Sequence, residues 1–462
     1  MSEPHHQPTP RTVFIETLGC AKNQVDSEFM MHSLHAAGWQ STTADEASCI
    51  VVNSCGFIEP AKQESIDVTL SLAEAYQHAQ IVMAGCLSQR YASELAVEMP
   101  ELAGIYGNRA PGRLPEFLDR VTGLLRDGTT DTDRAPLVWL PEEDLAGGER
   151  TQLLGYPGSA YVKVSEGCDN RCSFCAIPLI RGRLRSKPMG VVLDEIDRLL
   201  ASGVREINLV AQDLASYARD TPTPGNRELP GVRLLRELST RDGHFWIRLL
   251  YVYPDRFPHE FLSVMADDPR IVPYFDIPLQ HAAAPVLRRM GRPGSAESYL
   301  SLIHTIRDRL PHVFLRSTFL VGFFGETEQA FEELLEFQQQ ARIDWLGVFP
   351  YSPEEGTPAL RNNPELDVTP QRAEKRAALI RERQEAITWQ SVERLVGRDL
   401  DVLVEELVPD EPLAIGRCYA QAPEVDGAVV IHADEDHPPT PGEFLRCRIT
   451  RRNGLDVEAV PL

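Results

Sequence analysis

The sequence predicts an α/β protein with three parts: an N-terminal open parallel α/β domain, a central incomplete barrel of six β/α units, and a small, OB-like antiparallel β-barrel at the C-terminus. Three observations carry this. Residues 11–125 alternate apolar runs with amphipathic helical stretches. Residues 158–390 repeat that alternation with six strand candidates. Residues 391–462 end in short alternating runs between turn signals.

Taken in order, residues 1–10, MSEPHHQPTP, have no apolar centre and read as a disordered tail rather than a secretory signal. The runs VFIETLGC, CIVVNSC and QIVMAGC read as strands, each followed by a helical pattern: VDSEFMMHSLHAAG, AKQESIDVTLSLAEAYQ and QRYASELAVEM. Residues 126–157 contain DGTTDTDRAP, PEEDLAGGER and GYPG, and their Gly, Pro and Asp content reads as a linker. Barrel strands are expected at 161–165, 206–213, 246–253, 274–280, 314–322 and 345–352, separated by helices such as VVLDEIDRLLASG and ESYLSLIHTIRDRL. The charged helix QRAEKRAALIRERQEAITWQSVERLVG leads to DLDVLVEELV, AVVIHAD and EFLRCRITRR, the strands expected of the terminal barrel.

Composition narrows the function. The 462 residues are 43% hydrophobic and 25% charged, ordinary for a globular protein. No apolar run is long enough to cross a bilayer. A cytosolic location is expected, where thiols stay reduced and clustered cysteines suggest metal rather than disulfides. The net charge of −22 argues against a phosphate backbone as main partner and suits a basic one.

Six of the nine cysteines form two triads. Cys168, Cys172 and Cys175 share one loop with C-x3-C-x2-C spacing, after the first barrel strand. Cys20, Cys55 and Cys86 each end an apolar run of the N-terminal region, at the strand edge where open α/β sheets bind ligands. Three thiolates can hold a 4Fe-4S cluster and leave its fourth iron open, where S-adenosylmethionine would bind and be cleaved to a radical. Structural zinc is the alternative for the clustered triad, but it wants four ligands, and the nearest histidines in sequence are His78 and His244. Cys49, Cys418 and Cys447 are expected to pack in cores.

The segments TLGCAKNQVDSE, VNSCGF, MAGCLSQRY, GCDNRCSFCAIPLIRGRLRSKP and LVGFFGETEQAF resemble the radical S-adenosylmethionine methylthiotransferases, from about residue 11 onward. The final barrel resembles their TRAM domain. Phe324 stands where the family usually has proline. TLGCAKN, AQDLASYA, RLLYVYP, FDIPLQHA, RRMGRPG and QAPEVDGAVVI are similar to the RimO-like branch, which modifies the β-carbon of an aspartate in small-subunit ribosomal protein twelve. The MiaB-like branch, which modifies a tRNA adenosine, is the alternative. From Gly397 to Leu462 there are six Arg, no Lys and fourteen Asp plus Glu, a net of −8. That charge suits a Lys- and Arg-rich protein better than RNA. A non-catalytic scaffold using both triads structurally is the rival from another class.

The resemblance implies two 4Fe-4S clusters, two molecules of S-adenosylmethionine per turnover, a sulfide or polysulfide sulfur source, and an external electron donor such as a flavodoxin or ferredoxin. One S-adenosylmethionine would methylate sulfur held at the N-terminal cluster. The other would give the radical that takes a hydrogen from the aspartate. Direct nucleic-acid binding is not expected. Gln212 and Asp213, at the end of the second barrel strand, are candidate S-adenosylmethionine contacts. Gly322 and Gly325 would let backbone approach its adenosyl group, or simply form a strand-to-helix turn. The run Arg181, Arg183, Arg185, Lys187 has three open readings: a solvated charge cluster, an arginine fork on the carboxylate of substrate or cofactor, or a nucleic-acid contact.

Overall fold

The computed structural model describes residues 11–124, 135–142, 149–222, 228–363, 368–434 and 437–462. The tail expected at 1–10 and much of the expected linker lie outside these. The chain divides into two compact units. The first runs to Leu154 and includes Ala176–Arg183; the second holds Gly155–Cys175 and Leu184–Leu462.

The first unit is a six-stranded sheet, β1 (Thr12–Thr17), β2 (Gln40–Ser41), β3 (Cys49–Ser54), β4 (Gln80–Gly85), β5 (Gly104–Tyr106) and β6 (Leu137–Trp139), in the order β2-β1-β3-β4-β5-β6. Every pairing is parallel. Side chains alternate between faces along a strand, so both faces must be covered. Cys49 and Val51 of β3 pack with Met30 and Leu34 of α1 (Ala21–Ala36) on one face. Ile50, Ile81 and Met83 pack with Leu87 and Leu95 on the other. β3 is buried throughout, and each buried Val or Ile contributes about 1.5–3 kcal/mol. Cys49 is core, as expected. β6 corrects the linker reading: three residues inside that stretch pair with β5 and close the sheet. Their short apolar run, LVW, was masked by Gly- and Asp-rich surroundings.

The second unit contains β7 (Ser159–Lys163), the two-residue pair β8 (Ser165–Glu166) and β9 (Arg185–Ser186), and then β10 (Glu206–Val210), β11 (Trp246–Leu249), β12 (Ile271–Asp276), β13 (Phe314–Val321) and β14 (Trp345–Pro350). The order β14-β13-β12-β11-β10-β7 is all parallel, with consecutive strands adjacent. The outer strands do not pair with each other, so the barrel is incomplete, as predicted. All six strands end earlier than expected, and β7 and β12 also begin earlier. Two residues past β11, Tyr251 takes φ of 62°, outside the strand region. β7 starts at Ser159, where Glu206 of β10 pairs with it.

The terminal barrel closes from β15 (Asp399–Leu407), β16 (Leu413–Arg417), β17 (Val429–His432), β18 (Phe444–Asn453) and β19 (Asp456–Pro461). Its pairs are antiparallel except β17 with β19, which run parallel and complete the closure. Cys418 and Cys447 are buried in it. A buried charge network docks it on the incomplete barrel. Arg417 Nη2 lies 2.7 Å from Glu206 Oε2, Arg248 Nη2 lies 2.9 Å from Glu206 Oε1, and Arg248 donates to the Tyr419 carbonyl at 2.7 Å.

Candidate active site

In the first unit the three scattered cysteines gather at the carboxyl edge of the sheet. Cys55 and Cys86 directly follow β3 and β4, whose last residues, Ser54 and Gly85, are in register. Cys20 caps α1. Two glycines permit the approach. A Cβ on Gly19, at φ 97°, would lie 2.8 Å from the Cys55 Cβ, and one on Gly56 would lie 2.9 Å from the Cys86 carbonyl carbon. Cys20 is exposed, whereas Cys55 and Cys86 are buried. Burial pushes the Cys55 thiol up to about 12, with the neighbouring Cys86 adding to it. Burial also raises Cys86, against the pull of Arg181.

A polar shell surrounds Cys86. Arg181 Nη2 and Asn108 Nδ2 each lie 3.4 Å from its sulfur. Arg181 also donates to Asn23 Oδ1 at 2.7 Å and Asp26 Oδ2 at 3.0 Å. Asn23 donates to the carbonyls of Leu18 and Ser54, tying the ends of β1 and β3 together. Ala176 follows Cys175 directly in the chain and forms one buried cluster with Cys86 and Ile180.

In the second unit Cys168, Cys172 and Cys175 stand in a loop just after β8, whose pairing with β9 staples the loop's two ends. The Cys175 amide donates to the Cys172 carbonyl at 3.2 Å. Ser173 is held by the Met290 and Arg289 carbonyls. A Cβ on Gly291, at φ 75°, would lie 2.3 Å from the Arg171 carbonyl oxygen, so only glycine lets these loops meet. The Asn170 amide donates to Cys168 at 3.4 Å, and burial pushes that thiol up to about 11. The Tyr253 hydroxyl is 4.0 Å from the Cys172 sulfur, under the guanidinium of buried Arg292 at 4.5 Å from its ring.

Among the described residues no three ligand groups close on a point as the ligands of one metal ion do. Zinc needs sulfurs about 2.3 Å from a single centre. A 4Fe-4S cluster held by three cysteines keeps one iron open, so three thiolates are the donor set it asks for, whereas structural zinc asks for a fourth ligand. Cysteines bound to either would lose the protons that burial retains on Cys55 and Cys168.

The other expected residues fall as follows. Asp213 is buried with both carboxylate oxygens engaged: it accepts from Ala215 N at 3.0 Å, Ser216 Oγ at 2.6 Å, Asn170 Nδ2 at 3.0 Å and Arg256 Nη2 at 3.1 Å. Through Asn170 it ties the cysteine loop to the end of β10. Gln212 is half-buried at the end of the same strand. At Gly322, with φ 81°, a Cβ would lie 2.5 Å from the Ala373 Cβ, so the long helix Pro370–Glu393 approaches that side of the backbone closely. The space beside Gly325 is filled by the Arg289 guanidinium. Phe324 is buried against Phe323 and Tyr351, at 5.5 and 5.3 Å, so aromatic packing braces the turn where proline is usual. The solvated-cluster reading fails for Arg181 and Lys187, which are buried; Lys187 pairs with Glu195 at 2.9 Å. Arg185 lies half-buried in β9, and Arg183 is exposed.

Family profiles match all three parts: the uncharacterized protein family UPF0004 over residues 12–107, the Radical SAM superfamily over 162–337 and the TRAM domain over 396–462. A ribosomal protein uS12 methylthiotransferase RimO from Treponema denticola is 42% identical over 96% of this chain and 99% of its own. That of Moorella thermoacetica is 42% identical over 95% of this chain and 96% of its own. The chain belongs to the RimO family of uS12 methylthiotransferases. Radical SAM membership brings a 4Fe-4S cluster and S-adenosylmethionine with it. The solved radical S-adenosylmethionine methyltransferase TsrM from Kitasatospora setae, with tryptophan and a SAM analogue, shares the fold: TM-score 0.52 at 16% identity over 74% of this chain and 75% of that one.

For this RimO family member, sequence reasoning missed Asn23, Asp26 and Asn108 at one triad and Tyr253, Arg256 and Arg292 at the other. One signal was available. Residues 22–28 of α1, KNQVDSE, are all buried despite six polar or charged side chains. A polar run inside a helix that must pack marks a site rather than a solvated face.

Proposed function

We propose that this chain transfers a methylthio group to the β-carbon of an aspartate in ribosomal protein uS12, the substrate in its relatives' names. The observation that carries this is identity near 40% along essentially the whole length of those relatives. Cys168, Cys172 and Cys175 would hold the radical-generating 4Fe-4S cluster, and Cys20, Cys55 and Cys86 a second one. When bound, the first cluster and S-adenosylmethionine supply radical hydrogen abstraction at an unactivated carbon, and the second holds the sulfur to be transferred.

The chain's own residues supply positioning. Asp213 grips Asn170 and Arg256 and so fixes the loop that carries Cys168. Gln212, Asp213 and Gly322 stay the candidate contacts for S-adenosylmethionine. Two triads acting on one substrate must work close together. The reading assigns residues 11–125 to sulfur handling, 158–390 to radical generation and 391–462 to docking. It includes a cytosolic location, a sulfide or polysulfide source, two S-adenosylmethionine per turnover and a low-potential flavodoxin or ferredoxin as electron donor. Among the described residues no helix is long and apolar enough to cross a membrane.

The terminal barrel supports a protein substrate over tRNA. Five of its six arginines pair with carboxylates: Arg446 with Asp401, Arg448 with Asp399, Arg451 with Glu458, Arg452 with Glu393 and Arg417 with Glu206, while Arg398 donates to the Tyr419 hydroxyl. Little positive charge is left to release counterions from a phosphate backbone. Mass spectrometry of ribosomal proteins and tRNA nucleosides, from cells with and without the protein, tests the reading. Loss of one methylthio group from uS12 with tRNA unchanged is expected. Loss from a tRNA adenosine with uS12 unchanged would overturn it.

A further inference from the structure

We propose that Arg181 is a positioning residue for the N-terminal triad: locked by Asp26, its guanidinium donates to the Cys86 sulfur and sets the reduction potential of the cluster held there. This rests on the reading of Cys20, Cys55 and Cys86 as cluster ligands.

Arg181 is only 3% exposed, and a buried guanidinium carries a large desolvation cost. Asp26, 1% exposed and 3.0 Å away, balances its charge. Charge balance alone could be met at any buried site. Here one nitrogen, Nη2, is shared between Asp26 Oδ2, Asn23 Oδ1 and the Cys86 sulfur at 3.4 Å. The approach is built in from the backbone. Arg181 ends the short helix α2 (Ile177–Ile180), whose Ile180 packs with Ala176 against Cys86. Its position is thus set by the chain leaving Cys175, while its partners come from α1.

A thiolate bound to iron accumulates negative charge as the cluster is reduced. Donors to the ligand sulfur favour the reduced form and raise the potential. Arginine cannot lose its proton, so the donor is permanent. Asp26 acts in the opposite sense, since its negative charge also acts on Cys86. The pair therefore gives two levers of opposite sign in one geometry, which a purely structural salt bridge would not show.

The test uses the full chain with Cys168, Cys172 and Cys175 changed to Ala, reconstituted anaerobically with ferrous iron and sulfide. Iron content and an EPR-monitored redox titration are read. Arg181→Met should lower the reduced-to-oxidised ratio at fixed potential about tenfold, which for a one-electron couple is a negative shift of about 59 mV. Arg181→Lys should shift it less, since an ammonium keeps the charge and loses the fork. Asp26→Asn should shift it positively. Unmoved midpoints with iron retained would overturn the role of Arg181 and leave the triad's reading intact. If Arg181→Met takes up no iron, the lysine and Asp26→Asn variants decide: shifts of opposite sign support the proposal, and none sinks it. If the parent with Arg181 intact takes up no iron, the triad's reading fails and the proposal falls with it.

Discussion

Replacing Arg417 with Met should loosen the terminal barrel while leaving the first unit unchanged. Arg417 is 2% exposed and reaches Glu206 at 2.7 Å, Glu405, and the Gln421 carbonyl at 3.1 Å. Burial alone would keep Glu206 protonated, yet the guanidinium groups of Arg417 and Arg248 outweigh it and hold the carboxyl down at about 2. Without Arg417, Glu206 keeps only Arg248, and Glu405 loses the cation that offsets its burial. Removing one partner of a buried ion pair costs about 3–5 kcal/mol. Native-state hydrogen exchange at the β16 amides reads that cost locally. Protection should fall about a hundred- to several-thousandfold, with β3 and β4 unchanged. The double variant Arg417→Met/Glu405→Leu should recover part of it, because no unpaired charge is then left at Glu405. A loss under tenfold, or an equal loss in β3, would refute the reasoning. The pH dependence has a definite sign. A carboxyl held at about 2 against an ordinary 4.5 contributes roughly 3 kcal/mol, present above 4.5 and lost as pH falls toward 2. Glu405, raised by burial, titrates with the opposite sign and blunts that slope. Arg417→Met should flatten it further.

Gly322→Ala should lower the thermal midpoint more than Gly397→Ala: both have φ 81°, but a Cβ at 322 meets Ala373 at 2.5 Å, while nothing lies within 4 Å at 397. The strain common to both is about 1–2 kcal/mol, and equal midpoints would show that the Ala373 contact gives way. Cys55→Ser should lose one cluster's iron on anaerobic reconstitution, whereas Cys49→Ser should keep all of it and lose stability only; iron loss from the latter would move Cys49 out of the core. Burial, against the pull of Arg316, raises Asp426 from an ordinary 3.8 to about 6, so its favourable contribution is complete below 3.8 and lost as pH rises through 6. Asp426→Asn should remove that dependence, worth roughly 3 kcal/mol, in urea unfolding followed from pH 4 to pH 7, and an unchanged profile would mean Asp426 does not titrate there.

The strands and both cysteine triads were legible because their signals are local. An apolar run ending in cysteine declares its strand and the edge on which the thiol emerges, and C-x3-C-x2-C declares its loop. Less legible were features whose partners lie far along the chain. Arg181 reaches Asp26 across 155 residues, so a buried counter-charge looked like part of a solvated basic run. Gly322 and Asp213 were singled out as special positions, but their neighbours Ala373 and Asn170 lie too far along the chain to be read locally. β6 escaped because three residues carry no usable period.

By itself, the sequence determined the α/β class, the order of the parts, the grouping of six thiols into two triads and the family resemblance, since periodicity, cysteine spacing and charge are written residue by residue. Only the tertiary structure decided what surrounds those thiols: which polar groups face Cys86 and Cys172, which arginines are spent on carboxylates, and which glycines admit a neighbouring backbone. Those depend on burial, and burial exists only once distant segments have packed.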